Sequence, residues 1–166
     1  MATTARKTLV IVGAGPGLGF SLAKAFGARG FRVALVARRK TALDRLVLDL
    51  KKLGVSATAY PSDAADEAQL IKTFDYIKHD FGPIDLLEYS PGLARDTGLL
   101  SAAATTPKAV MAQFKAEVLG AVCSVRAVLP GMLERKSGAI ILTTHLCSRK
   151  PTPAMLRPTF CPWQGL

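Results

Sequence analysis

Along the first 144 residues, short unbroken apolar runs alternate with longer stretches in which apolar residues return every three or four positions. Runs such as TLVIV at 8–12 and AIILT at 139–143 have too little polar character for a strand with one wetted face, so they predict strands buried on both sides. Five strands are predicted, at residues 8–12, 32–36, 56–60, 84–89 and 139–144. Helices are predicted at 17–29, 41–52, 66–81 and 107–134, where the pattern takes up the 3.6-residue period. Strand and helix in alternation is the mark of βαβ units, and their crossovers require a parallel sheet clothed by helices.

Several boundaries carry their own chemistry. Thr106 before Pro107 reads as an N-cap followed by proline at the first helical position, where its missing N–H is no loss. Gly54 and Gly82 read as helix terminators. In the last helix Val110, Phe114, Val118, Val122, Val125 and Leu129 form a stripe expected to pack against the core. The pattern then breaks: PTPAMLRPTFCPWQGL carries four of the chain's ten prolines, a density that interrupts helix and ladder alike. The expected division is an α/β domain over 1–145 and an irregular tail over 146–166.

Composition narrows the function classes. A chain of 166 residues, 49% hydrophobic and 20% charged, can bury a real core and is not a disordered tract. A net charge of +10 raises the question of nucleic acid, but the cations fall in small groups. Lys51 with Lys52 and Arg135 with Lys136 are expected in last helical turns, where cations offset the helix dipole. Without zinc-finger or aromatic-basic spacing, nucleic-acid binding is the weakest of the alternatives. Cys123, Cys147 and Cys161 include no C-x-x-C pair, which suggests neither a disulfide framework nor a zinc site and makes a cytoplasmic setting the expectation. The N-terminal MATTARKTLVIVG holds an apolar segment too short for a signal core or a span, so no membrane partner is expected.

The candidate chemistry begins at VIVGAGPGLGFSLAKAF, residues 10–26, where a buried strand runs into a helix through Gly13, Gly15, Gly17 and Gly19. Such a loop offers backbone N–H groups to a pyrophosphate. The spacing G-x-G-x-x-G fails, because Leu18 occupies its third glycine position. The spacing G-x-x-x-G-x-G is complete with Gly13, Gly17 and Gly19, leaving Gly15 as a permissive extra and Leu18 between the last two.

With that spacing the sequence resembles the short-chain dehydrogenase/reductase family from about Thr8 to Thr144. Asp63 and Asp66 in SDAAD match the family's Asp-x-x-Asp after the third strand, where the first aspartate meets the adenine amino group. Asp66 reads equally as an N-cap. YSPG, residues 89–92, stands where the family has Asn-Asn-Ala-Gly and keeps only Gly92. The resemblance implies a three-layer, Rossmann-like, doubly wound parallel sheet of about five strands in the order 3-2-1-4-5, lacking the family's last strands. Truncation, a changed reading frame near Cys147 and a shortened paralogue would each give that ending.

The cofactor implied is a nicotinamide dinucleotide, and the end of the second strand chooses between its forms. In VALVARRK, Ala37 stands where an acidic residue would bond an NAD ribose, and Arg38 and Arg39 follow it. Their guanidinium forks suit a 2′-phosphate, so NADP is expected. The reaction implied is hydride exchange with a small carbonyl or alcohol, using Tyr-x-x-x-Lys and a serine. Tyr60, Tyr76 and Tyr89 all precede the fifth strand, so the Tyr-Lys pair is missing. The serine position falls at Thr144 or His145, with Ser148 a lesser substitute; Thr144 could orient a carbonyl, and His145 reads as a surface residue. Glu117 stands where the family has a proton-relay asparagine and reads more plainly as a helix-surface residue. Oxidoreductase by descent and non-catalytic NADP-binding module are both carried forward, with a homo-oligomer implied by the resemblance.

Overall fold

The computed structural model describes residues 6–91 and 106–143. Its strands are β1 (Thr8–Val12), β2 (Arg32–Ala37), β3 (Ala57–Pro61), β4 (Leu86–Tyr89) and β5 (Ala139–Leu142). They form one parallel sheet in the order β3-β2-β1-β4-β5. The expected fold class and strand order hold, with ends moved by one or two residues. Ile84 and Asp85 lie outside β4, where Asp85 instead accepts the Thr8 N–H at 2.8 Å and trims the sheet's lower edge.

Alternation along the strands divides the core in two. Val10, Val12, Val36, Leu87 and Tyr89 face α3 (Glu67–Phe81) and the long C-terminal helix, meeting Leu70, Phe74 and Val128. Leu9, Ile11, Val33, Leu35 and Leu86 face α1 (Leu18–Gly27) and α2 (Lys40–Lys52), meeting Ala23, Leu43 and Leu50. Both faces of β1 are fully buried, as its unbroken apolar run requires. Each such aliphatic side chain contributes about 1.5–3 kcal/mol by leaving water.

The caps form where the sequence places them. Thr106 Oγ1 accepts the Ala109 N–H at 3.2 Å with Pro107 at the helix start. Gly82 ends α3 at φ +74. Arg135 and Lys136 depart from expectation: Arg135 is the C-cap, its guanidinium donating to the Ile84 carbonyl at 3.0 Å, and Lys136 lies past the helix.

The long helix corrects the sequence reading more deeply. It comprises α4 (Pro107–Phe114), a π-helical turn (Lys115–Leu119) and α5 (Gly120–Glu134). The residues it buries are Gln113 in α4 and Gly120, Ser124, Val128 and Met132 in α5. The valine stripe is only partly covered: Val125 packs against the core cluster, but Val122 is 50% exposed and Leu129 39% exposed. Small residues win the contact because they let the helix come close. A Cβ at Gly120 would overlap the Ala64 carbonyl oxygen and the Tyr89 hydroxyl. The π turn, with its wider winding, shifts the phase of the period between α4 and α5. By length and composition, Pro107–Glu134 is long and apolar enough to cross a membrane, with a mean hydropathy of 1.5. Its inner face packs on α3 and the sheet.

Candidate functional site

Parallel strands bring all their C-terminal ends to one edge, and the order reverses between β1 and β4, where α/β sheets open a crevice for ligands. The glycine loop lies at that point. Gly13, at φ +93, and Ala14 both donate their N–H groups to the Val36 carbonyl, at 2.9 and 3.0 Å, which folds the loop over the end of β2. The Phe20 and Ser21 N–H groups are met by the Gly15 and Gly17 carbonyls at 2.9 and 3.1 Å. Gly17 is the N-cap of α1, which has no side-chain cap and no acidic residue in its first turn. The leading N–H groups of α1, Leu18 and Gly19, therefore form an uncapped, positively polarised helix end.

The four glycines do different work. A Cβ at Gly13 would overlap the Ser90 carbonyl oxygen and Pro91, so Gly13 lets the end of β4 lie against the loop. Gly19 is buried, and a Cβ there would sit 3.0 Å from the Ala14 Cα, so it sets how closely α1 meets the loop. Gly17 has nothing within 4 Å of its missing side chain, and Gly15 only the Gly13 carbonyl oxygen at 4.0 Å. These two line open space.

One strand over, Arg38 and Arg39 are exposed, and Arg39 caps α2 through its backbone. Neither guanidinium takes a hydrogen bond or ion pair among the described residues, whereas the neighbouring Lys40 pairs with Asp44 at 2.8 Å. Two unpaired cations thus stand beside a second helix start with no acidic residue in its first turn. After β3, the Ser62 N–H donates to the Ala37 carbonyl at 3.0 Å, which brings the turn carrying Asp63 to the same end of the sheet as Arg38 and Arg39. One Asp63 carboxylate oxygen accepts the Ala65 N–H at 2.9 Å. Asp66 is an N-cap, accepting from the Gln69 N–H at 3.0 Å.

After β4 the Ser90 N–H donates to the Val12 carbonyl at 2.8 Å, and after β5 the Thr143 N–H donates to the Tyr89 carbonyl at 3.0 Å. Gly92, Thr144 and the boundary at 145 lie outside the described residues. Sequence reasoning passed over Glu88 and set Tyr89 aside because it precedes the fifth strand. Tyr89 is buried with its hydroxyl donating to the Ala116 carbonyl inside the π turn. Burial pushes its phenol well above the usual tyrosine range, and Tyr60, whose hydroxyl donates to Asp80 at 2.8 Å, is raised by burial and that bond. Tyr76 is exposed on α3. Neither Tyr60 nor Tyr89 is poised to ionise near neutral pH. A cavity of about 470 Å³ between the β3–α3 turn and the π turn, bordered by Glu67, Lys115 and Cys123, does not touch the glycine loop.

Comparison with known proteins agrees with this fold. A family model described as short chain dehydrogenase matches residues 7–156. A short chain dehydrogenase of Pseudocercospora fijiensis is 32% identical over 150 residues, covering 89% of this chain and 47% of the relative. The 17-beta-hydroxysteroid dehydrogenase 13 of Rattus norvegicus is 27% identical over 154 residues, covering 93% and 50%. The chain thus spans about half the length of the curated relatives it matches. Among solved structures, an actinorhodin polyketide ketoreductase variant with NADPH superposes at a TM-score of 0.86 with 24% identity, over 96% of this chain and 60% of that one. The L-sorbose reductase of Gluconobacter frateurii, complexed with NADPH and L-sorbose, superposes at 0.84 with 24% identity, over 95% and 59%.

Proposed function

The chain belongs to the short-chain dehydrogenase family, and from that premise we propose that it binds NADP(H) at the glycine loop as part of an oxidoreductase site for a carbonyl/alcohol pair. One observation carries the reading: the uncapped start of α1, at the topological switch point, and the unpaired guanidiniums of Arg38 and Arg39, one strand over, lie on the same sheet edge. The NADPH present in the two solved neighbours supports it.

In this reading the residues that hold the dinucleotide fall into three groups. The N–H groups of Leu18 and Gly19 receive the pyrophosphate, with Gly15 and Gly17 leaving it room. Arg38 and Arg39 receive the 2′-phosphate, a pairing that a lysine point charge would not match in geometry. Asp63 meets the adenine amino group, and Gly92 is assigned to the cofactor set by its place in the family motif. The bound cofactor supplies or accepts hydride, and Thr144 orients the substrate oxygen. Fluorescence titration with NADPH and NADH tests the binding: micromolar NADPH affinity with weaker NADH supports it, and no saturable binding of either sinks it.

A second reading, a nucleotide-binding module without turnover, is favoured by the commitment of Tyr60 to Asp80 and of Tyr89 to the π turn. Incubation with NADPH and a panel of carbonyl compounds separates the two. Consumption above background selects the enzyme, and binding without consumption selects the module.

A further inference from the structure

Glu88 is an acid in the middle of a sheet. It lies in register between Ile11 of β1 and Ile141 of β5 and is 1% exposed. A buried carboxyl is costly unless its oxygens find partners, and a valine would occupy such a strand position with no such demand. Both oxygens are taken. Oε2 accepts from the Ser90 hydroxyl at 3.0 Å and Oε1 from the Thr143 hydroxyl at 3.0 Å.

These donors come from different strands. Ser90 lies two residues on from Glu88 and shares its face, while Thr143 follows Leu142, the register partner of Tyr89, and so stands diagonally across from Glu88. The contact network continues past Ser90. Its N–H donates to the Val12 carbonyl at 2.8 Å, and its own carbonyl oxygen, with Pro91, fills the space that the missing Gly13 side chain leaves. From Thr143 to Gly13 every link is a hydrogen bond, a covalent bond or a close backbone approach.

We propose that Glu88 is a positioning residue, which ties the end of β5 to the end of β4 and thereby sets the Ser90–Pro91 backbone against Gly13 of the dinucleotide loop. The segment leaving β5 and the glycine loop are then mechanically coupled through one buried side chain. A substrate or substitution that moves Thr143 alters how the loop is held. The effect on the dinucleotide rests on the reading given under Proposed function; the coupling itself does not.

Three variants test it: Thr143→Val, which removes the β5 donor while nearly keeping its shape, Glu88→Gln and Glu88→Val. The readouts are the backbone amide shifts and exchange rates of Gly13, Ala14 and Ser90, and the NADPH dissociation constant. Thr143→Val is expected to move the Ser90 and Gly13 amides and to raise the NADPH constant roughly threefold to tenfold, the range that loss of one hydrogen bond to a buried acceptor gives. Glu88→Gln, which keeps an acceptor, should fall between the parent protein and Glu88→Val. If Glu88→Val does not fold, Thr143→Val and Glu88→Gln decide the matter. A lowered unfolding temperature with unmoved Gly13 and Ser90 amides means a tie of purely structural value and overturns the proposal. A parent protein that fails to bind NADPH defeats the dinucleotide reading, and the amide response still decides the coupling.

Discussion

Alanine substitution at three glycines around α1 separates a loop that holds a ligand from one that merely turns the chain. At Gly19 the new Cβ would lie 3.0 Å from the Ala14 Cα, a backbone neighbour that cannot rotate away. Overpacking of this kind costs about 1–3 kcal/mol, offset by about 1 kcal/mol because alanine is the better helix former. The net loss is about 1 kcal/mol, or roughly 2–4 °C in unfolding temperature for a chain of this size. At Gly17 the Cβ meets nothing within 4 Å, and exchanging glycine for alanine at an N-cap costs about 0.5–1 kcal/mol. Gly30 lies in the turn before β2, at the other end of α1, with φ +86 and open space around its Cβ. Alanine there costs about 1–2 kcal/mol through backbone conformation alone. The three variants should therefore be destabilised to similar extents. Their NADPH affinities should not be similar. Gly17→Ala places a methyl in the space assigned to the pyrophosphate and should weaken binding by tenfold or more, and Gly19→Ala should weaken it by shifting the loop. Gly30→Ala should bind as the parent does. Thermal unfolding and fluorescence titration on the same preparations provide both quantities. Parent-like affinity in Gly17→Ala, or an equal loss in Gly30→Ala, refutes the assignment of the open face of the loop.

Three further outcomes are expected. Arg38→Ala should raise the NADPH dissociation constant by about one to two decades and leave NADH nearly unchanged, since a charge-assisted hydrogen bond contributes roughly 1.5–3 kcal/mol; equal losses for both in parallel titrations would give Arg38 a structural role instead. Burial raises the Glu88 carboxyl above its ordinary 4.5 despite its two hydroxyl donors, so the folded protein holds that proton more tightly than the unfolded chain does. Stability should decline as pH rises from 4.5 to the raised folded value and then level off, and Glu88→Gln should remove that slope in denaturant titrations across pH; superimposable profiles would place Glu88 in a better solvated site. Ile141 and Leu142 of the edge strand and Leu129 and Leu133 of α5 are all exposed, so sedimentation velocity should show concentration-dependent association that Leu133→Glu weakens, and a monomer at every concentration would mean that this surface is covered.

The sheet was legible because its signals are local and redundant. TLVIV has only one comfortable place, between two layers of helices, while the strand order around it was legible only through the family resemblance. The glycine spacing and the Thr106 cap were legible for the same reason: backbone geometry there depends on a few adjacent residues. The buried face of the long helix was hidden because the hydrophobic pattern weighs size, while the contact with the β3–α3 turn and Tyr89 selects for smallness at Gly120 and Ser124. The π turn hid it further by breaking the period inside one apolar run. Glu88 was hidden because a charged residue in a strand reads as solvent-facing, and one of its two partners, Thr143, is 55 positions away. Asp66 could be read as cap or ligand from sequence, and the Gln69 N–H shows the cap.

The most direct test of the central claim locates the dinucleotide on the protein. Amide shifts of the ¹⁵N-labelled chain, followed during NADPH titration, should move first and most at Gly15, Gly17, Leu18, Gly19, Arg38 and Arg39, with saturation matching the fluorescence constant. Shifts confined to the cavity bordered by Glu67, Lys115 and Cys123, or no saturable shifts at the glycine loop, would contradict it.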